Sequence, residues 1–488
     1  MAPENLRLSR LPIEPWRPAR RPQPHDDAYL DRFIDAAMQV LERTGVRVLS
    51  ERALGIFREH GAACDVERQI VHLPEGVVRG ALACAPRTFT LGSRDGSCDL
   101  DLDSGATYMT ADGCGTQVID WRTGVRRAST KADLADATRL LDYVSSIAYW
   151  WPTVGAGDCG VTAQLHELDA GWTNTVKHLQ GMVQGAREAR FAVEMATVIA
   201  GGAEELRRRP PLSDLTFAVS PLTIDRDGAD AALVFAEAGV PMVLGSAPVC
   251  GTTGPATAAG AMVQSLAEVL ALVVLVQLAH PGAPVFGYSI SGSADPRTGD
   301  GGHSLDGRDP ALCVDLVHHL GLPSQLGTGG GTDTELSGTW AEAAQAGASL
   351  TMAALSGSEL AVGLGLTSDG MLWSAEDLIL DDHLYHQARY TVMDMSVDDE
   401  ELALDVIDAV GPGGHFLGQA HTRKHMRKTF VRGLTGEPDA SGGYRDPLEV
   451  ARQRARDILE NYRPEPLDEA KAAELRRILA AADAELKS

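Results

Sequence analysis

Eight short apolar runs, each closed by a Gly- or Ser-rich break and most of them followed by a stretch of helical spacing, constrain this chain more than any other feature. They are TYMTADGCGTQVID, SSIAYWW, KHLQGMVQ, DLTFAVSPLT, VPMVLGSAP, APVFGYSIS, LPSQLGTGG and ELAVGLG. Between them lie helix-forming stretches such as KADLADATRLLDYV, RDGADAALVFAEAG and WAEAAQAGASLTMAALSG. Strands alternating with helices specify parallel pairing with crossover helices. Eight such units over residues 105–375 predict an α/β fold, a (β/α)8 TIM barrel. A doubly wound open sheet is the alternative, and it lacks support because no G-x-G-x-x-G follows the first strand. In a barrel the functional mouth lies at the strand C-termini, expected here at Trp151, Gln184, Ser220, Ser246, Ser291 and Gly330.

The flanks read differently. Residues 1–25 are rich in Pro and Arg and predict a flexible arm, extended or disordered. Residues 26–104 predict a small α+β cap. Leu30, Phe33, Ile34, Ala37, Met38 and Leu41 share one helix face, Gly45 stops that helix, and QIVHLP and RTFTLGSRDG read as strands. Residues 376–488 predict a mostly helical C-terminal region with charges at three- and four-residue spacing, packed on the barrel or on a neighbour in a homo-oligomer. The most apolar stretch, LAEVLALVVLVQLAHPGAPV, is interrupted by Glu268 and Gln277 and ended by Pro281, which fits a buried helix better than a membrane span. A net charge of −24 disfavours nucleic acid and anionic membranes as partners. Seven scattered cysteines without C-x-x-C, and an N-terminal stretch without an apolar run, fit reduced thiols in a cytoplasmic protein.

Several stretches together are similar to the trimethylamine methyltransferase family, in its branch without pyrrolysine, whose members include glycine betaine methyltransferases. They include VLERTGVRVLSERALGIFREHGA, APRTFTLGSRDG, TNTVKHLQG, SPLTIDRDGADAALVFAEAGVPMVLGSAP, HHLGLPSQLGTGGGTDTE and LDVIDAVGPGGHFLGQAHTRKHMR. The resemblance implies a TIM barrel that takes a methyl group from a quaternary or tertiary methylamine. The acceptor it implies is the Co(I) of a separate corrinoid-binding protein, with no cofactor held tightly by the chain itself. One departure stands out. Where the family tends to read T-D-A-K, this chain has Thr332, Asp333, Thr334 and Glu335, an acid in place of the lysine. That acid keeps open one alternative, a relative that binds methylammonium without turnover; a lyase on the same barrel is a separate one, which a lysine or metal cluster at the strand ends would favour.

The candidate site residues follow from that chemistry. A quaternary ammonium donates no hydrogen bond and is held by aromatic faces and negative potential. Tyr149, Trp150 and Trp151 stand where the second run ends at Pro152, with Tyr149 and Trp151 on one side of the strand and Trp150 on the other. They either form part of an aromatic cage or fill space between strands and helices. Tyr288 and Trp340 are further candidate walls. Tyr108, Phe286 and Trp373 are other aromatics near strand ends. In GTGGGTDTE, Gly330 and Gly331 would bring backbone close to the ligand, with Asp333 and Glu335 as candidate catalytic carboxylates, or the loop is a tight turn with an acidic helix start. Asp158 either balances a bound cation or caps the next helix. His303 is a candidate contact for a substrate carboxylate. His421 and His425 have the i, i+4 spacing of a metal pair but lack further ligands, so no metal site is expected. No Ser-His-Asp pattern, nucleophile elbow or P-loop is present.

Overall fold

All eight runs contain a strand, and all eight strands run parallel. In the computed structural model, which describes residues 8–294, 297, 301–302, 310–327, 338–368, 370–429, 433–436 and 441–486, they are β1 Tyr108–Ala111, β2 Tyr149–Trp150, β3 His178–Gly181, β4 Leu212–Phe217, β5 Met242–Ser246, β6 Val285–Ser289, β7 Gln325–Gly327 and β8 Leu360–Leu364. The helices between and after them are α1 Lys131–Tyr143, α2 Ala163–Asn174, α3 Ala186–Ala200, α4 Arg226–Ala238, α5 Ala258–Ala279, α6 Pro310–His319, α7 Trp340–Ser356 and α8 Ala375–Val392. The chain is thus an α/β protein. Its strands form two parallel arcs, one in the order β6-β5-β4-β3-β2 and one in the order β7-β8-β1. The arcs meet at both ends, but each seam is a single parallel bridge, Met109 with Ile147 and Gly287 with Ser324, rather than a continuous ladder.

Side-chain alternation sorts these strands into two cores. Tyr108, Tyr149, Leu215, Val243, Phe286 and Leu360 belong to a cluster enclosed by the arcs. Met109, Trp150, Leu179, Met242, Val285 and Ala361 join the larger cluster shared with the helices. The first run stops pairing early. Gly113, Gly115 and Cys114, whose φ of 71° lies in the left-handed region, turn the chain out of β1, and Gln117–Ile119 joins a separate sheet with Arg126–Ala128 and Leu372–Trp373.

The segment ahead of β1 occupies two places. Helices Asp27–Gln39, Glu51–Glu59 and Glu75–Cys84 pack against the outer face of α5, while β5 and β6 cover its inner face. A helix covered on both sides must be apolar all round, which explains the longest apolar stretch; 83% of its most apolar window is buried. Its two polar interruptions are both engaged. Glu268 accepts from Ser220 Oγ (2.6 Å), the Leu222 amide (2.6 Å), Gln264 Nε2 (2.9 Å) and Ser246 Oγ. Gln277 donates to the Ala283 carbonyl at 2.7 Å and accepts from the Gly282 amide at 2.9 Å. Residues 89–102 instead lie under the N-terminal ends of the strands, where Phe89 meets Phe286 edge-on at 4.9 Å and Leu91 and Leu100 enter the enclosed cluster. Tyr108 and Phe286 therefore stand at the closed end, away from the mouth. The hydroxyl of Tyr108 is 3.0 Å from Ser104 Oγ.

The arm predicted to be flexible is extended but docked over residues 8–25. Trp16 is fully buried, stacks on Tyr385 at 4.7 Å and exchanges backbone hydrogen bonds with Thr107. At the other end of the chain, helix Pro447–Asn461 packs on α8 and α1, and helix Glu469–Leu486 packs on α3 and α2.

Candidate functional site

Three consecutive aromatics go to three different places. Trp150 points outward, where its Nε1 donates to Thr138 Oγ1 of α1 at 2.9 Å and its ring lies against Gly171 of α2. That position removes it from the candidate binding walls, because strand alternation turns it into the helix layer. Tyr149 points inward and fully buried, with its hydroxyl 3.1 Å from the carbonyl of Ala361 in β8. Burial holds that hydroxyl well above the usual phenol range, so it stays protonated and donates. Trp151, one residue past β2, is the one that reaches the strand C-terminal end.

At that end each aromatic ring lies against a glycine. A Cβ on Gly113 would come within 2.6 Å of the Trp151 indole; one on Gly245 within 2.8 Å of the Phe217 ring; one on Gly327 within 2.6 Å of the Tyr288 hydroxyl. The strand register explains the pattern. Phe217 of β4 pairs with Gly245 of β5, and Gly245 pairs in turn with Tyr288 of β6. The absent side chain between them lets the two rings meet edge-on at 5.3 Å. Gly113, Gly245 and Gly327 therefore leave space for rings, and Phe217 is a candidate wall that sequence reasoning did not single out.

A carboxylate completes this end. Asp112 follows β1 directly, its amide donating to the Leu364 carbonyl of β8 at 2.9 Å and its Oδ1 accepting from the Gly113 amide at 2.8 Å. Burial raises its pKa, and its negative charge adds to the burial that raises the Tyr288 hydroxyl and the Cys114 thiol. Trp151, Gly113, Asp112, Tyr288, Phe217 and Gly245 thus form one connected constellation. Next to it opens a cleft of ≈ 620 Å³ lined by Cys114, Pro152, Gly157, Asp158, Glu167 and Met182, among others. Cys114 Sγ is 3.1 Å from Met182 Sδ, and its thiol is pushed up to about 12 by burial, with Glu167 and Asp112 adding to it. Glu167 accepts from the Ala156 amide at 3.0 Å, and burial raises its pKa as well. Carboxylates that burial pushes toward the neutral form become charged most readily when a cation binds beside them.

The remaining candidates are scattered. Asp158 lines the cleft, but its Oδ1 accepts from the Lys131 amide at 2.7 Å, so it caps α1, the preceding helix rather than the following one. Tyr288 joins the constellation. Trp340 stands 85% exposed on the first turn of α7, and Trp373 is buried against Gly365 outside the arcs. His303, Gly330, Gly331, Asp333 and Glu335 lie outside the described residues. His425 is held by Glu400 at 3.0 Å and Glu401 at 3.6 Å, and its ring stacks on His421 at 4.3 Å. Among the described residues no group of three His, Cys, Asp or Glu side chains has metal-binding geometry.

Comparison with known proteins adds independent findings. The trimethylamine methyltransferase (MTTB) family pattern matches residues 6–487. The trimethylamine methyltransferase MttB of Desulfitobacterium hafniense (strain DSM 10664 / DCB-2) is 32% identical over 464 residues, covering 93% of this chain and 92% of that protein. The glycine betaine methyltransferase of Desulfitobacterium hafniense (strain Y51) is 30% identical over 467 residues, covering 92% and 95%. Among solved structures, the Methanosarcina barkeri monomethylamine methyltransferase (MtmB) aligns over 90% of this chain and 88% of its own, with 12% identity and a TM-score of 0.48.

Proposed function

Because the chain belongs to the trimethylamine methyltransferase family, we propose that it takes a methyl group from a quaternary or tertiary methylamine, glycine betaine included, and passes it to the Co(I) of a separate corrinoid protein. In this reading the two arcs form a (β/α)8 barrel, joined at their single bridges, with its mouth at Trp151, Phe217 and Tyr288.

The observation that carries the proposal is the constellation of aromatic rings seated on glycines beside the half-buried carboxylate of Asp112. A methylammonium ion has a diffuse positive charge and no N–H to offer if quaternary, so ring faces hold it and a carboxylate supplies the counter-charge. The transferred carbon leaves nitrogen without the C–N electron pair, which stays on the amine, and the acceptor provides the pair for the new bond. The chain therefore needs no nucleophile of its own. Its task is to orient the C–N bond toward the opening and exclude water from it. For a betaine, a donor must face the carboxylate. The indole N–H of Trp151 is buried and, among the described residues, has no hydrogen-bond partner, so it can supply one.

A second reading, a family relative that binds methylammonium without turnover, rests on Glu335 in the lysine position. One experiment separates the two. The protein is mixed with a reduced corrinoid protein and, in turn, trimethylamine, glycine betaine and choline, while Co(I) absorption is followed. Amine-dependent loss of the Co(I) signal supports the proposal. Calorimetric binding of an amine with the signal unchanged supports the second reading, and neither response overturns both.

A further inference from the structure

Two glutamines from opposite arcs meet inside the enclosed core. Leu179 of β3 and Leu326 of β7 join the cluster shared with the helices, so strand alternation turns their neighbours Gln180 and Gln325 to the enclosed side. Both are buried, and their carboxamides pair reciprocally. Gln180 Nε2 donates to Gln325 Oε1 at 2.9 Å, and Gln325 Nε2 donates to Gln180 Oε1 at 3.1 Å. The same core holds Tyr149, Leu215, Val243, Phe286 and Leu360. Placing amides in apolar surroundings costs desolvation that two apolar side chains would not incur, and what an amide pair supplies in return is direction and spacing.

The pair links the arcs where they are joined least. β7 is laddered to β8 along its whole length, but among the described residues its other edge meets β6 only at the bridge of Gly287 with Ser324, where the Gly287 amide donates to the Pro323 carbonyl at 2.9 Å. The other side-chain bonds found between the arcs both involve Tyr149, on the far side of the core. Thr110 Oγ1 donates to the Tyr149 carbonyl at 2.5 Å, and the Tyr149 hydroxyl donates to the Ala361 carbonyl at 3.1 Å. Two residues beyond each glutamine, roughly 6–7 Å toward the mouth, stand Met182, which lines the cleft, and Gly327, against which the Tyr288 hydroxyl lies. We infer that Gln180 and Gln325 are positioning residues. Their paired amides hold β7 at a fixed distance from β3, and so keep Gly327 and the Tyr288 ring in place opposite the side of the mouth that carries Met182. That the braced mouth holds a methylammonium ion rests on the function proposed above, whereas the brace itself does not.

Gln325→Leu and the double variant Gln180→Leu with Gln325→Leu test this. The single variant leaves the Gln180 amide buried without its partner and should unfold at lower denaturant than the parent. The double variant removes both amides and should regain the parent midpoint or exceed it. A pair that merely satisfies its own polar atoms requires full recovery of every property in the double variant. A brace requires that hydrogen exchange of the β6 segment Val285–Ser289 stay roughly tenfold faster than in the parent despite the recovered midpoint, while β4, inside one arc, exchanges at the parent rate. Calorimetry should then show tetramethylammonium bound roughly tenfold more weakly by the double variant. Parent-like exchange at Val285–Ser289 in the double variant overturns the inference. So does exchange that quickens equally in β4 and β6, which marks general destabilisation, and so does parent-like binding by the double variant where the parent binds. A parent that binds no tetramethylammonium counts against the proposed function, and the exchange of β6 against β4 then decides the brace alone.

Discussion

Trp150 and Trp151 are adjacent in the chain and have opposite surroundings, so they form a matched pair for testing the site. Trp151→Leu keeps apolar bulk and removes the ring quadrupole. Since a desolvated cation–π contact contributes ~2 kcal/mol or more, this change should weaken binding of a trimethylammonium ligand by roughly tenfold or more in calorimetry. Trp150→Leu should leave binding near the parent value and lower the melting temperature instead, because it removes a buried ring and its bond to Thr138. Equal binding by both variants would place the cage elsewhere. Asp112 gives a second residue-scale test. Its folded pKa is raised, so the native state holds the proton more tightly than the unfolded chain, and this group costs stability as pH rises past the ordinary carboxylate range. Asp112→Asn, which can still accept from the Gly113 amide, should therefore be more stable than the parent at neutral pH, with the gap closing in acid. It should also bind a methylammonium ion more weakly and lose the parent's rise in affinity with pH. Thermal unfolding and calorimetry across pH read both effects. Alternation alone placed Tyr149 and Trp151 on one side and Trp150 on the other. Asp112 was not legible in the same way, because its burial is imposed by β8 and by the turn through Gly113 and Cys114, and no local pattern in ADGCG encodes either.

At the scale of elements, the positions of the strands were legible because every apolar run ends in residues that break a ladder. The ends themselves were less so. Several of the strand ends expected at the mouth lie one to three residues beyond where pairing stops, as with Gln184 against Gly181 and Ser220 against Phe217. The run expected to continue to Asp120 leaves β1 after Ala111. The glycines read as punctuation proved to be contact surfaces for rings on neighbouring strands, a pairing that depends on register and not on local sequence. Gly113→Ala tests that reading. Gly113 does not need a left-handed backbone, so the substitution acts through the clash of its Cβ with the Trp151 indole. It should cost about 1–3 kcal/mol of stability, as overpacking does, and should also displace the indole and weaken methylammonium binding. Denaturant unfolding with tryptophan fluorescence, followed by calorimetry, would show whether both change together; full binding with an unmoved indole would refute the seating of that ring.

At the scale of the whole molecule, several distant parts of the chain close the end opposite the expected mouth and cover the helices. Residues 89–102 fill the opposite end of the arcs, three early helices cover α5, and the last two helices lie over α1, α2, α3 and α8. Composition could not reveal that the Pro- and Arg-rich N-terminal stretch belongs to this closure, since such a stretch is polar enough to remain in solvent. One residue decides the matter. Trp16 is fully buried, stacked on Tyr385, and donates from Nε1 to the Tyr385 carbonyl at 3.3 Å, while the Tyr385 hydroxyl donates to the Glu14 carbonyl at 2.7 Å. Its backbone pairs with Thr107 just ahead of β1, and the next strap, Ala19 to Val392, fastens the arm to the end of α8. Replacing a buried Trp by Ala costs about 3–5 kcal/mol where the site cannot collapse. Trp16→Ala should therefore lower the denaturant midpoint of the main unfolding transition, because the arm spans β1, α8 and the segment leading to β1. A free arm would lose nothing on this substitution. If Trp16→Ala unfolds at the parent midpoint, the arm contributes no closure and its docking is not part of the stable fold. If the midpoint falls while methylammonium binding at low denaturant is retained, the arm acts on the stability of the closed end and leaves the distant mouth intact.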